Sequence, residues 1–123
     1  MEFQPGRYVF IECTFLEGKK SIPMGLVGSI VYNSQGDMSV CILWDDRRLA
    51  AYRGTYKVRG NIVTHCISDD RAGTMHGVFV QKRKYRCFLR ENTPMMELET
   101  PGPVRIDGKE AIVRLLACRV GDA

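Results

Sequence analysis

The stretch "AYRGTYKVRGNIVTHCI", residues 51–67, decides the fold class because it reads as two strands joined by a tight turn. Apolar and polar residues alternate on both sides of Arg59-Gly60-Asn61, and a glycine between two such runs is typical of a β-hairpin. The same stretch places His65 in the middle of an apolar run. If His65 faces a packed core, this is an ordinary β-domain; if it faces a hollow, the hollow is a candidate site.

Similar period-2 runs with turn signals between them continue along the chain, without a repeat, a linker or a long amphipathic helix. Antiparallel strands in this number usually close into a barrel or form a sandwich, and short sequential hairpins favour the up-and-down barrel. We therefore predict one all-β domain over residues 1–123, an antiparallel up-and-down β-barrel of about eight to nine strands. The predicted strands are 7–15, 25–32, 38–44, 48–58, 62–68, 78–90, 95–100, 103–106 and 111–120, with an irregular stretch at 69–77 in which Asp69 or Asp70 caps a short helical turn.

Composition indicates a globular protein, with 123 residues, 45% apolar and 26% charged. No apolar run approaches the roughly 20 residues of a membrane span, and residues 1–15 lack the pattern of a secretory signal. We therefore expect a cytoplasmic protein with no membrane partner. The net charge of +4 is densest in "QKRKYRCFLR" (81–90), where alternate basic residues share one strand face. We interpret that face as solvated and expect no nucleic-acid partner.

Five cysteines lie singly inside strand-like runs, and no pair has the spacing of a metal site. We expect all five to be reduced and packed as small apolar side chains. No metal or nucleotide motif is present, so no cofactor is predicted. A barrel that leaves an exposed edge strand can pair through it, and for that reason we expect a homodimer.

Three parts of the chain resemble the lipocalin-like domain family, a short relative of the lipocalin and calycin barrels. They are "GSIVYNSQGDMSV" (28–40), "AYRGTYKVRGNIVTH" (51–65) and the pattern Q-x-R-x-Y followed by L-x-T-P (81–101). The resemblance extends from about Gly6 to Arg119, nearly the whole chain. It implies a barrel fold and, because such barrels occur among isomerases and cyclases of natural-product pathways, an interior that can serve as a site.

The chain departs from the pattern of that family at three positions. Tyr8 stands where the family has the Trp of Gly-x-Trp, Cys66 replaces a second histidine, and Ala117 replaces an aromatic residue. The resemblance implies that Arg119 lies across the ring of Tyr8 and closes the barrel floor, a cation–π contact with a structural role. Loss of the aromatic ring at Ala117 implies a more hollow interior.

Strand alternation, with the register of 62–68 taken from the family, assigns a polar group to the barrel interior. Its candidate catalytic members are His65, Glu12 and Arg83. A buried Glu or Arg is rare unless paired, so two interpretations stay open. In the first, the group is structural: Glu12 pairs with Arg83 or Arg119, or one strand faces the other way. In the second, these side chains are the polar anchors of an apolar pocket. The candidate substrate-binding residues are Tyr8, Tyr32, Tyr52, Gln81, Tyr85, Met38, Trp44 and Leu98.

Three functions are compatible with this lining. The first, which we predict, is a cofactor-independent isomerase or cyclase of a polyketide or terpenoid pathway, in which His65 and Glu12 act as acid and base and Arg83 polarises a carbonyl or stabilises an enolate. The second is a non-catalytic carrier or sensor of an apolar ligand. The third is a filled barrel that acts through its surface. A ligand-sized cavity excludes the third, and His65 and Glu12 within reach of one ligand atom favour the first.

Overall fold

The computed structural model describes residues 2–18, 20–44, 47–106 and 108–123, and every regular element within these ranges is a β-strand. The predicted all-β class is confirmed. Alternating Val, Ile, Tyr, Phe and Thr produce these strands because branched and aromatic side chains pack well on a pleated, half-buried surface. The strands are β1 (Gly6–Glu17), β2 (Lys20–Met24), β3 (Leu26–Tyr32), β4 (Asp37–Trp44), β5 (Arg47–Arg59), β6 (Ile62–Asp70), β7 (Val80–Arg90), β8 (Thr93–Glu99), β9 (Val104–Ile106) and β10 (Lys109–Gly121).

The sheet closes on itself because β1 pairs antiparallel with both β3 and β10. Around the barrel the strands follow in the order β1-β3-β4-β5-β6-β7-β8-β10, so the predicted up-and-down barrel of eight to nine strands is confirmed. β2 and β3 flank Gly25 and pair with the two halves of β1, while β9 is a short addition to β10. Because the sheet closes, the short strands β2 and β9 are the edge strands of the described chain. The expected homodimer, which would pair through an edge strand, stays a prediction.

A β-bulge in β1 reverses the expected facing of its second half. The pairing of β1 with β10 shifts register between Phe10 and Glu12, which inserts an extra residue into β1. Phe10 is therefore followed on the inner face by Cys13, and both are buried. Glu12 points outward and is exposed. The prediction that Glu12 faces the interior is wrong, because strict alternation holds only where no residue is inserted.

The N-terminal segment closes one end of the barrel, which we call the closed end. The ring of Phe3 packs against three tyrosines, and its centroid lies 5.0 Å from that of Tyr32. Tyr8 donates a hydrogen bond to the Gln4 carbonyl at 2.7 Å. Arg119, which pairs with Tyr8 across β1 and β10, donates from Nε to the Pro5 carbonyl at 3.1 Å. Tyr8 and Arg119, which were expected to meet at one end of the barrel, are thus neighbours at the closed end, and the guanidinium of Arg119 is bound to the N-terminal backbone.

The opposite end, which we call the open end, is covered by the irregular segment 71–79. The predicted cap at Asp70 is present: its carboxylate accepts from the backbone N–H groups of Gly73 at 3.0 Å and Met75 at 3.1 Å. These bonds hold a series of turns rather than a helical turn. Among the described residues, no helix has the length and apolar character needed to cross a membrane.

Candidate functional site

A cavity of about 460 Å³ occupies the half of the barrel nearest the open end. A volume of this size is typical of small-molecule sites, and its walls are mainly aliphatic and aromatic. Strand alternation produces these walls, since every second residue of β3, β4 and β10 points inward. The apolar lining residues are Phe15, Leu26, Ile30, Val40, Ile42, Leu49, Ala50, Met75, Val78, Leu98, Val104, Val113 and Leu115.

Three polar side chains form the floor of this cavity: Tyr52 on β5, and Gln81 and Arg83 on β7. Gln81 Oε1 accepts from Tyr52 Oη at 3.3 Å and from Arg83 Nη2 at 3.2 Å. Arg83 also donates from Nη1 to the Lys82 carbonyl at 2.8 Å. Gln81 and Arg83 are half-buried although they lie on the inner face of β7, because that face borders the cavity.

His65 lies beneath this floor and does not line the cavity. Only 2% of its surface is exposed, and both ring nitrogens are engaged. Tyr32 Oη lies 2.7 Å from Nε2, and Tyr52 Oη lies 2.9 Å from Nδ1. His65 does face inward, as predicted, but Tyr52 stands between it and the cavity, which favours the structural interpretation of His65 over a catalytic one.

The hydrogen-bond pattern assigns the tautomer of His65. Because Arg83 can only donate, the Gln81 atom that it contacts is the carbonyl oxygen, and Tyr52 must donate to that same oxygen. The single hydroxyl proton of Tyr52 is then used, so His65 donates from Nδ1–H to Tyr52 Oη. Nε2 is left as an acceptor for the hydroxyl of Tyr32. The chain of donors therefore runs from Tyr32 through His65 and Tyr52 to Gln81.

Burial keeps this network neutral. It lowers the pKa of His65 to about 4, and the positive charge of Arg83 acts in the same direction. Burial raises the pKa of Tyr52 to about 12, against the opposing effect of Arg83. At neutral pH His65 is an uncharged imidazole and Tyr52 holds its proton. Tyr52 is thus a hydrogen-bond donor at the cavity floor rather than a source of protons.

The described charged residues that line the cavity, Arg83 and Arg105, are both cations. Burial lowers the pKa of Arg83, and nearby Tyr52 and Tyr32 offset part of this effect. Among the residues that the structure describes, no carboxylate oxygen lies within 4.0 Å of the Arg83 guanidinium. Arg105, a second cation, borders the cavity and is exposed. The described lining contains no Asp, Glu or His.

The segment 71–79 supplies part of the lining that strand alternation could not predict. Thr74, Met75 and Val78 all border the cavity. Thr74 Oγ1 is buried and has no hydrogen-bond partner within the described chain, which makes it a polar group available to a bound molecule. Met75 is the sequence signal for this role, since it is a large apolar residue within the predicted irregular stretch 69–77.

The remaining predicted site residues divide between the cavity and other regions. Leu98 lines the cavity, and Trp44 packs edge-on against Phe15, with ring centroids 6.4 Å apart. Glu12 borders an outer groove beside Arg114. The predicted residues that belong to the core or the closed end and do not line the cavity are Tyr8, Tyr32, Met38 and Tyr85.

Two further expectations concern hollowness and metal binding. Ala117 is buried but does not line the cavity, so the cavity does not arise from the missing aromatic ring at that position. Within the described ranges, no group of three or more His, Cys, Asp or Glu side chains is placed to hold a metal ion.

Comparison of the chain with protein-family models, curated proteins and solved structures finds no match. The resemblance to the lipocalin-like domain family therefore stays a prediction, and the function is inferred from the geometry of the cavity.

Proposed function

We propose that this barrel binds one apolar small molecule in the cavity at its open end. The observation that carries the proposal is an apolar chamber of about 460 Å³ with a polar floor of Tyr52, Gln81 and Arg83. Apolar walls supply affinity through burial, and a few convergent polar groups fix the orientation of the ligand. The unpartnered hydroxyl of Thr74 adds a second polar point on the wall.

Binding without chemistry, as by a carrier or sensor, is the function that the lining supports best. An isomerase that moves a proton between carbon atoms needs a group to accept it. The described lining offers no carboxylate and no histidine, and His65 is covered by Tyr52. Glu12, the base expected from the sequence, lies outside the barrel.

A second candidate is a cofactor-independent cyclisation or rearrangement that needs no protein base. One observation favours it: Tyr52 and Arg83 both donate to a single point, now occupied by Gln81 Oε1. Two donors that converge in this way can stabilise an oxygen that gains negative charge in a transition state. The apolar walls would hold a flexible substrate in one reactive conformation. A natural-product substrate remains what the family resemblance implies.

Titration with 1-aminoanthracene, an uncharged probe of fifteen non-hydrogen atoms that fluoresces in apolar surroundings, tests the binding proposal. We expect saturable binding at one site per chain. The variant Ala50→Phe should abolish it, because Ala50 lines the cavity and a phenyl ring would fill the space. Val27→Phe is the matched control, since Val27 is 57% exposed on the outer face. Equal binding by both variants, each shown to be folded by circular dichroism, would exclude the cavity as the site.

A further inference from the structure

Arg83 carries a positive charge at the cavity floor, and none of the residues that the structure describes pairs it with a negative charge. Its two described hydrogen bonds go to neutral acceptors, the Gln81 side-chain carbonyl and the Lys82 backbone carbonyl. A guanidinium has five N–H donors, so these bonds leave donors available. Withdrawing a cation from water is costly unless an anion compensates it, and the described protein supplies no carboxylate within 4.0 Å.

The neighbouring tyrosines cannot serve as that anion. Tyr52 and Tyr32 are the ionisable groups beside Arg83 on the inner face, and burial raises the pKa of both well above neutral pH. His65, the next group in the network, is neutral and can never be negative. Since none of these described neighbours is negative, an anionic molecule that enters the cavity would supply the compensating charge.

The position of Gln81 Oε1 shows where a negatively charged group of the ligand would lie. Gln81 Oε1 accepts from two donors, Tyr52 Oη and Arg83 Nη2, so an oxygen-binding point already exists at the floor. A carboxylate presents two oxygens to a guanidinium in a planar, paired arrangement that an amide or alcohol cannot match. Arg105 at the border of the cavity adds a second positive charge, which attracts anions towards the entrance.

On this basis we infer that the ligand is an apolar monocarboxylate, bound with its carboxylate at Arg83 on the floor and its hydrocarbon body against the aliphatic walls. The inference rests on the proposed binding function and names its ligand class. The cavity of about 460 Å³ has room for about fifteen non-hydrogen atoms, at the roughly 30 Å³ that a small group occupies in a liquid. Medium-chain acids fit this limit.

Displacement of bound 1-aminoanthracene by three compounds of one chain length tests the inference. The compounds are dodecanoic acid, 1-dodecanol and dodecylamine, at a pH near 7.5. Because hydrogen bonds between charged groups contribute more than neutral ones, we expect the acid to displace the probe at least about tenfold more effectively than the alcohol. The amine should be weakest, since its charge is repelled by Arg83.

Three variants at two arginines test which side chain recognises the carboxylate. Arg83→Gln should reduce the preference for acid over alcohol to near unity, and Arg83→Lys should retain part of it, because a lysine keeps the charge but not the paired geometry. Arg105→Gln is the matched control and should retain most of the preference. If Arg83→Gln fails to fold, the wild-type comparison of acid with alcohol and the Arg83→Lys variant still decide.

Each result has a defined meaning. Equal displacement by acid and alcohol overturns the inference and leaves the binding function intact. A preference that is lost in Arg105→Gln but kept in Arg83→Gln also overturns it, because the carboxylate would then lie at the entrance. Absence of 1-aminoanthracene binding to the wild type instead contradicts the proposed function itself.

Discussion

Lowering the pH should destabilise the barrel through His65 before most carboxylates titrate. The folded state holds His65 neutral, with a pKa of about 4, whereas in the unfolded chain the imidazole has its usual value near 6.5. Below pH 6.5 the unfolded chain therefore binds a proton that the folded chain rejects. The free energy of unfolding must then decrease as the pH falls, and the loss is complete only below the folded pKa of about 4.

The decrease in the free energy of unfolding depends on how far apart the pKa values of His65 in the folded and unfolded chain lie. Each pH unit in which one state is protonated and the other is not contributes about 1.4 kcal/mol. Between pH 6.5 and pH 5, where few carboxylates change state, His65 should therefore lower the free energy of unfolding by about 1.5–2 kcal/mol. Because only 2% of the surface of His65 is exposed, solvent does little to reduce the effect of burial on its protonation.

Urea unfolding at pH 7.0, 6.5, 5.5 and 5.0 measures this loss directly. The variant His65→Gln should be less stable at pH 7, by about 1–3 kcal/mol, because the hydrogen bonds of Tyr32 and Tyr52 are disturbed. Its stability should nevertheless change little from pH 6.5 to 5. His76, the second of the two histidines in the chain, is exposed, and His76→Gln should behave like the wild type. Parallel pH profiles for wild type and His65→Gln would refute the claim that His65 is buried in its neutral form.

Three other measurements test the placement of individual side chains. Tyr32→Phe should lower the free energy of unfolding by about 1–3 kcal/mol, because it leaves His65 Nε2 buried without a donor. Tyr85→Phe removes a hydrogen bond from an exposed pair and should lower the free energy of unfolding by less, and urea unfolding compares the two variants. Glu12→Gln should leave both the unfolding midpoint and the affinity for 1-aminoanthracene unchanged, since Glu12 is exposed and outside the cavity; a clear loss of probe binding would contradict its placement. Thiol titration of the denatured, unreduced protein should count all five cysteines, and a count of three or fewer would show a disulfide.

Strand alternation predicts the barrel well because half of its strand positions face a buried interior. The inward facing of Tyr52, His65, Gln81 and Arg83 is a direct result of the two-residue period. β2 is missed because Pro23 lies inside it, and proline argues against a strand unless the strand lies at an edge. The missed strand is a local error, so the predicted topology of the barrel is unaffected.

The chemistry of the site is less predictable because it depends on contacts between distant positions. Nothing near Glu12 in the sequence signals the bulge that turns it outward; that bulge depends on the register with β10. Whether His65 is accessible depends on Tyr52, and on Tyr32, 33 residues away in sequence. The cavity roof comes from a segment without periodicity.

Closure by pairing the first strand with the last has a consequence for how the chain folds as it is synthesised. The bond between Arg119 and the Pro5 carbonyl joins residues 114 positions apart, so the circle of strands cannot be completed until β10 has left the ribosome. Until then one edge of β1 lacks its partner and is open to pairing with other nascent chains. Contacts of such long sequence separation also slow folding, so this barrel should fold in milliseconds to seconds and aggregate more readily during synthesis than a helical protein of equal size.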